Sequence, residues 1–215
     1  MRQYVGSYIE MPTKRNERSD RRLSRKRSLP HGLVRARDLE AAGTARPAIR
    51  RMVATGQLQQ VARGLYAPAG FEPTEHHSLA AAAALVPEGV VCLLSALQFH
   101  GVGTQTPFEV WLAIGTKARK PTVTDPPLRI VRFSDRALRD GVENRTIEGV
   151  QVRVTSAART VADCFKYRNK IGLDVALEAL REYRRTRQSM DDLARAARLV
   201  RVANVMRPYL EAVLA

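Results

Sequence analysis

Apolar residues that recur with the period of a helix predict an amphipathic helix that begins near Ala45. At about 100° per residue, Ile49, Met52 and Val53 converge on one side of this helix. One face therefore packs against a core, and the other presents guanidinium groups. The opposite side carries Pro47, Arg50, Arg51 and Ala54, with Arg46 beside them.

The residues on either side of this helix predict a helix-turn-helix followed by a β-hairpin. Thr44 is expected to be the N-cap, because its hydroxyl can accept a hydrogen bond from a free amide of the first turn. A shorter helix over residues 35–42 precedes it across a tight glycine turn. Two short strands over residues 58–67 follow, with Arg63-Gly64 at their turn. This order is typical of a winged helix-turn-helix.

Beyond residue 72 the pattern predicts strands in the middle and helices at the end. An alanine-rich helix comes first, and the apolar residues 90–98 are expected to become helical after Ser95. The period then changes to two, which favours strands, and it returns to 3.6 from Ser156. Strands are expected over residues 108–114, 128–133, 146–147 and 150–154, and helices over residues 75–85, 156–167, 173–184, 189–200 and 202–214.

The predicted fold class is α+β, with an N-terminal winged helix-turn-helix followed by a mixed α/β C-terminal domain that ends in a helical bundle. Residues 1–30 are predicted to be a disordered basic extension, because they are rich in arginine and lysine and lack an apolar period. Such an arm either grips DNA or is simply unstructured. Residues 31–72 are the predicted DNA-binding domain, and residues 73–215 are the C-terminal domain.

The composition favours an anionic partner. The chain has 215 residues and a formal net charge of +15, and such a balance attracts polyanions, with nucleic acid as the first candidate. The two cysteines, Cys92 and Cys164, lie in apolar surroundings and are expected to be buried free thiols in a reducing cytoplasm. No apolar stretch approaches the roughly 18 residues that a membrane span needs, so a cytoplasmic protein is expected.

Arginines dominate the candidate DNA-reading residues. An arginine can pair bidentately with guanine in the major groove, whereas a phosphate contact adds affinity without sequence information. The sequence does not show which arginines contact bases and which contact phosphates. The alternative to DNA binding is that these arginines form an ordinary solvated helix face. The candidates are Arg35, Arg37, Thr44, Arg46, Arg50, Arg51 and Arg63.

The sequence predicts neither an enzyme nor a metal or cofactor site. His76 and His77 are adjacent on a helix and therefore point about 100° apart, with no further ligand at a useful spacing. Arg159 and Asp163 are four residues apart, which favours an ion pair on one helix face. The acidic residues Asp125, Asp135, Asp140, Glu143, Glu148 and Asp174 form no general acid and base pair.

Four phrases in order along the chain resemble AbiEi-type antitoxins of type IV toxin-antitoxin systems. They are Val61-Ala62-Arg63-Gly64-Leu65-Tyr66, then the stretch from Leu94 to Val102, then Ile147-Glu148-Gly149-Val150-Gln151-Val152, and finally the stretch from Ser156 to Asp163. The resemblance runs from about His31 to Ala215. In that family an N-terminal winged helix binds inverted repeats in the operon's own promoter, and a C-terminal domain counteracts a nucleotidyltransferase toxin.

The resemblance implies two partners, promoter DNA with inverted repeats and a cognate toxin. Inverted repeats require two copies of the chain, side by side or as a dimer on DNA. A nucleotidyltransferase has an acidic metal-binding site, so basic surfaces are the candidates for facing the toxin, with ordinary surface charge as the alternative. These candidates are Lys117, Arg119, Lys120, Arg181, Arg184, Arg185 and Arg187.

Three other classes of function stay open at this point. A plain winged-helix transcriptional regulator would share the helix-turn-helix but would have no toxin partner. A nuclease would need clustered carboxylates, which the sequence lacks. An enzyme that modifies the toxin would need a nucleotide-binding motif, and none is recognised.

Overall fold

The computed structural model describes residues 32–214 of the chain, and the predicted basic extension over residues 1–30 lies outside them. The fold is mixed α+β, as predicted. The strands are β1 (Val34–Arg35), β2 (Leu58–Ala62), β3 (Leu65–Pro68), β4 (Val90–Val91), β5 (Val110–Gly115), β6 (Leu128–Phe133), β7 (Val142–Ile147) and β8 (Val150–Thr155). The helices are α1 (Ala36–Ala41), α2 (Arg46–Ala54), α3 (His77–Leu85), α4 (Leu93–Phe99), α5 (Ala157–Lys166), α6 (Arg168–Ile171), α7 (Leu173–Arg185), α8 (Met190–Leu199) and α9 (Ala203–Leu214).

The N-terminal module, residues 32–70, has the predicted order of helix, turn, helix and hairpin. Its three strands form an antiparallel sheet in the order β1, β3, β2. The sequence pattern did not predict β1, which is only two residues long. A small core of Leu39, Ile49 and Leu58 packs against the partly buried Met52 and Val53, so the predicted packing face of α2 is confirmed.

Thr44 does not cap α2, and that prediction was wrong. The amide of Thr44 donates to the carbonyl of Leu39, and the amide of Gly43 donates to that of Glu40, which is the Schellman arrangement that closes α1. The N-cap of α2 is Ala45, which makes no side-chain cap hydrogen bond. Thr44 therefore belongs to the end of the first helix, and it is buried.

The second sheet has five strands in the order β6, β5, β4, β8, β7 and mixes parallel with antiparallel pairs. The pairs β5/β6 and β4/β8 are parallel, and the pairs β4/β5 and β7/β8 are antiparallel. Neighbouring residues of one strand point to opposite faces. Val90 and Ala113 therefore join the core under the C-terminal helices, and Val91 and Leu112 join the core under α3.

Four helices of the C-terminal half match their predicted bounds closely, whereas the sequence pattern did not predict the short helix α6. Helices α5, α7, α8 and α9 each begin and end within one residue of the prediction. The region before them differs, because residues 90–91 form β4, between β5 and β8, and α4 begins at Leu93 rather than after Ser95. Strand β5 begins at Val110, and Phe108, which the prediction placed in this strand, is 90% exposed.

Helix α3 lies between the N-terminal module and the five-stranded sheet. Its residues 79–84, a leucine followed by five alanines, are all buried. A helix that is apolar on every side is buried on every side. Leu33, Leu65 and Ala67 of the N-terminal module share one hydrophobic cluster with this helix and with Val154 of β8. Apolar contacts therefore cross the domain boundary predicted at residues 72 and 73.

Candidate nucleic-acid interface

Helix α2 exposes a row of arginines opposite its packed face. Arg46 and Arg50 are one turn apart, Arg51 follows, and all three are exposed. Within residues 32–214, the side chains of Arg50 and Arg51 have no hydrogen-bond or ion-pair partner. Both guanidinium groups are therefore available to an anion without breaking an existing contact.

The end of α2 is fixed by a second Schellman arrangement. The amide of Gly56 donates to the carbonyl of Val53, and the amide of Gln57 donates to that of Met52. Gly56 has φ of +70°, a conformation that glycine adopts without strain. Glycine therefore ends this helix, and the arginine face lies on a helix whose end is closed by backbone hydrogen bonds.

Arg46 is already engaged within the module. Its guanidinium donates to the carboxylate of Glu40 on α1, although the arginine side chain remains 77% exposed. The hydrogen bond with Glu40 raises the pKa of Arg46. A phosphate that contacts Arg46 would have to compete with this carboxylate.

Arg35 is less available than the sequence suggested. It donates to both carboxylate oxygens of Asp38, at 2.6 Å from Nε and 3.0 Å from Nη2, and its side chain is only 24% exposed. Its Nη1 is buried and has no hydrogen-bond partner among the described residues. Arg37 is 67% exposed and lies 3.9 Å from the same carboxylate, so it is the more accessible of the two.

The turn of the hairpin lies beside the start of α1. Arg63 is exposed at this turn, and Gly64 follows with φ of +76°. The carbonyl of Gly64 accepts a hydrogen bond of 2.9 Å from the amide of Ala36, so the turn is fixed to the first helix. Thr44, the remaining candidate, is buried at 7% exposure and has little surface to offer a ligand.

The candidate toxin-facing residues form two separate sets. Lys117, Arg119 and Lys120 are exposed on the loop between β5 and β6. Arg132 organises this loop, because its Nη1 donates to the carbonyls of Gly115, Thr116 and Ala118 at 2.7, 3.0 and 2.6 Å. Sequence reasoning missed this role for Arg132, since the contacts join residues on two different strands and their connection.

The second set surrounds a groove between α7 and α9. Arg181, Arg184 and Arg185 line a cavity of about 560 Å³ together with Leu177 and Tyr209. Arg185 is paired with Glu182 at 2.6 Å, and this pairing lowers the pKa of Glu182. Arg181 and Arg184 have no side-chain partner in the part of the chain that the structure describes. Sequence reasoning found the basic rim of this groove and missed its apolar floor.

A cluster that sequence reasoning missed joins the N-terminal module to the five-stranded sheet. Oε1 of Glu148 accepts hydrogen bonds from the amide and the hydroxyl of Thr74, at 2.7 and 2.9 Å. Oε2 of Glu148 lies 2.8 Å from Nδ1 of His77, and the carboxylate is only 2% exposed. The backbone carbonyl of Glu148 also accepts from the amide of Leu33 at 2.9 Å. The hydrogen bond between Leu33 and Glu148 thereby joins the N-terminal module, which carries the candidate DNA-binding arginines, to the five-stranded sheet.

The histidines and cysteines have structural surroundings. Nε2 of His100 lies 2.7 Å from the carbonyl of Thr155. Cys92 and Cys164 are buried free thiols, as predicted. No group of three or more potential metal ligands occurs in the described part of the chain, and none of its helices is long and apolar enough to cross a membrane.

The predicted ion pair of α5 is confirmed. Nε of Arg159 lies 2.9 Å from Oδ2 of Asp163, and both side chains are 1% exposed. Burial raises the pKa of Asp163 to about 6, although the guanidinium of Arg159 acts in the opposite direction. The pair lies inside the fold and away from α2, so it supports the C-terminal domain rather than the arginine face.

Comparison with known proteins finds a family match in the N-terminal part of the chain. No curated protein matches the chain. Among solved structures, the RV2827C protein from Mycobacterium tuberculosis is 17% identical over 86% of this chain and 76% of that chain, with a TM-score of 0.43. Residues 21–69 match the family described as "Transcriptional regulator, AbiEi antitoxin", so the match begins ten residues before the predicted start at His31. The resemblance to AbiEi-type antitoxins is therefore confirmed where this match lies, over residues 21–69.

Proposed function

We propose that the N-terminal module is a winged helix-turn-helix that binds promoter DNA, with α2 in the major groove. The observation that carries this proposal is the exposed face of α2, on which Arg50 and Arg51 have no side-chain partner among residues 32–214, opposite a face packed on its own core. The diameter of a helix with its side chains suits the major groove. In this proposal Arg50 and Arg51 reach base edges or phosphates, and Arg63 at the hairpin turn contacts the DNA backbone beside them.

The net charge of the chain supports the same partner. A protein with a net charge of +15 gains affinity for DNA by releasing counterions, and this gain falls as salt rises. Inverted repeats in the promoter would be bound by two copies of the chain, side by side or as a dimer. The chain acts in this proposal as a repressor of its own operon in the cytoplasm and not as an enzyme.

The C-terminal domain is proposed to counteract a nucleotidyltransferase toxin. The family match at residues 21–69 supports this role, since the family is described as an antitoxin as well as a regulator. The groove between α7 and α9 is the favoured contact, because Arg181 and Arg184 are unpaired within the described residues and stand beside an apolar floor. An interface needs such an apolar centre with a charged rim. The loop that carries Lys117, Arg119 and Lys120 is the second candidate.

Two paired variants of the full chain test the two roles. R50A/R51A should lose at least about tenfold in affinity for the DNA upstream of its own gene, measured by fluorescence anisotropy at about 150 mM salt. The same variant should still rescue growth of cells that express the neighbouring toxin gene. R181A/R184A removes the same charge and should retain DNA affinity while losing rescue. Unchanged DNA binding by R50A/R51A would remove α2 as the recognition helix.

A plain winged-helix regulator without a toxin partner is the second candidate. It is favoured by the extent of the family match, which ends at residue 69 and so covers the regulator part of the chain. The gene beside this one discriminates the two candidates at little cost. If the neighbour encodes no nucleotidyltransferase and no such enzyme is neutralised on co-expression, the plain regulator is the better description.

A further inference from the structure

A basic cavity of about 730 Å³ lies on the side of the C-terminal domain formed by α8 and the start of α5. Five arginines contribute to its lining, against the two carboxylates of Glu143 and Asp192. Two of these arginines come from α8, and the others come from the β6–β7 connection, from α5 and from the residue that joins α8 to α9. They are Arg136, Arg159, Arg195, Arg198 and Arg201.

Three of the five arginines are neutralised by neighbouring carboxylates. Arg136 pairs with Asp140 at 2.8 Å, Arg195 pairs with Asp192, and the buried Arg159 pairs with Asp163 at 2.9 Å. Glu143 in turn is held by Arg145 at 2.5 Å, so it does not neutralise an arginine of the cavity.

Two guanidinium groups of the cavity remain uncompensated. The side chains of Arg198 and Arg201 make no hydrogen bond or ion pair with any residue between 32 and 214. Their charges face a cavity whose other arginines are already paired. The cavity therefore has an excess of positive charge.

Arg201 occupies a backbone position that usually takes glycine. It has φ of +63°, and the amide of Val202 donates to the carbonyl of Ala197 while the amide of Arg201 donates to that of Arg198. These contacts make Arg201 the C′ residue of a Schellman motif, where glycine is preferred. The arginine at this position does not match the preference for glycine, and its guanidinium group lies at the cavity.

We propose that this cavity binds a small ligand that carries two or more phosphate groups, such as a nucleoside diphosphate or triphosphate. Its volume lies within the range of about 300–1,000 Å³ that is usual for small-molecule sites. The planar guanidinium group suits the bidentate recognition of phosphate. The start of α5 also directs the positive end of its helix dipole toward the cavity.

The lining predicts recognition of phosphates rather than of a base. The aromatic residue of the cavity, Tyr183, is 2% exposed and its hydroxyl donates to the carbonyl of Ser189 at 2.8 Å. It offers no free ring face on which a base could stack. An adjoining cavity of about 330 Å³ shares Arg136 and Arg201 and adds Lys166, which extends the basic surface for a longer phosphate chain.

Binding to this cavity is independent of the proposed roles of α2 and of the α7–α9 groove. The phosphate groups could belong to a free nucleotide or to a DNA backbone, since both present the same oxygens to arginine. A free ligand requires only this cavity, whereas a DNA backbone would also depend on the arginine face of α2.

The experiment measures binding of pyrophosphate, ATP and GTP to the full chain by isothermal titration calorimetry at about 150 mM salt, with adenosine as the uncharged control. We expect all three anions to bind with similar affinity and adenosine not to bind. In R198Q/R201G, affinity for the anions should fall about tenfold or more. Glycine suits the backbone at residue 201, so this variant should fold, which its thermal unfolding curve checks.

R181Q/R184Q is the matched control, because it removes from a different surface two arginines that are also unpaired among residues 32–214. Affinity for the anions should be unchanged in this control. Equal losses in both variants would show diffuse attraction to a basic protein and would overturn the proposal, as would the absence of binding to the unaltered chain. Loss of affinity for DNA of unrelated sequence in R198Q/R201G, without any binding of the small anions, would assign the arginines to a DNA backbone and would also overturn it.

Discussion

The carboxylate of Glu148, at the turn between β7 and β8, lies 2.8 Å from Nδ1 of His77, the first residue of α3. The same carboxylate accepts two hydrogen bonds from Thr74. Glu148 has φ of +52° and Gly149 has φ of +79°, so the turn holds a glutamate where glycine or asparagine is preferred. The connection that follows the N-terminal module and the start of α3 are therefore attached to the five-stranded sheet by polar contacts as well as by apolar packing.

Replacing Glu148 by alanine should destabilise the whole chain. The amide and hydroxyl of Thr74 would lose their acceptor, and hydrogen bonds to a charged group contribute roughly 1.5–3 kcal/mol each. We expect the free energy of unfolding, measured by urea titration with circular dichroism, to fall by about 2 kcal/mol or more. E211Q is the control, because Glu211 belongs to an exposed pair with Arg207 that should contribute less than about 1 kcal/mol. Equal effects of the two changes would contradict the role of Glu148.

The arginines of the N-terminal module should separate into binding and structural groups. Arg35 is held by both oxygens of Asp38, whereas Arg63 is exposed and unpaired among the described residues. R63A should weaken DNA binding and leave the unfolding free energy within about 0.5 kcal/mol of the unaltered chain. R35A should lower the unfolding free energy, because it removes both hydrogen bonds that Asp38 accepts from Arg35. The separation would be refuted if R63A were the less stable of the two proteins.

The buried Asp163 should give the stability of the chain a characteristic dependence on pH. Its pKa is raised to about 6 because burial outweighs the contact with Arg159, whereas the unfolded chain has an ordinary value near 4. The folded state therefore binds a proton more readily. The stabilisation that this proton provides is fully present below about pH 4 and is lost as the pH rises through about 6.

The variant D163N cannot titrate at this position and provides the comparison. The difference in unfolding free energy between the unaltered chain and D163N should shift in favour of the unaltered chain as the pH falls from 7 to 4, by at most about 3 kcal/mol. Carboxylates elsewhere in the chain, such as Glu182, whose pKa is lowered by Arg185, affect both proteins equally. A difference that stays constant over this range would show that Asp163 does not take up the proton.

The two thiols should be unreactive in the folded protein. Cys92 and Cys164 are both fully buried, and burial raises the pKa of each thiol well above its ordinary value. Only the thiolate reacts with a disulfide reagent. Ellman's reagent should therefore label neither cysteine in buffer and both in guanidinium chloride. Rapid labelling of the folded chain would mean that the sheet opens around β4 and α5.

Local patterns predicted those elements whose cause is local. Helices α7 and α8 were predicted within one residue, because each has a continuous apolar stripe, and Ser189 caps α8 by accepting from the amide of Asp192. The two-residue strand β4 was not predicted. It exists because Val90 and Val91 pair with strands that lie much later in the chain, and a run of two residues is too short to show the period of a strand.

The candidate sites show the same division between local and distant causes. The arginine face of α2 follows from the helical period alone. The contact between His77 and Glu148 joins residues 71 positions apart, so no window of sequence could reveal it. Thr44 was misassigned because two helix-end motifs compete for the same residue, and the hydrogen bond from its amide to Leu39 assigns it to α1. Arg136 and Arg201 likewise meet at the basic cavity only in the folded chain.

The alanine run of α3 also bears on how proteins of this kind can diversify. Residues 80–84 are alanines with at most 6% exposure, so the strands on both sides approach the helix closely and a larger side chain would find no room. A recombinant protein that joined this N-terminal module to an unrelated domain at residues 72 and 73 would lose the surface of α3 against which the module packs. New operator preferences are therefore expected to arise by substitution of exposed residues on α2 and at the hairpin turn, and not by exchange of whole modules.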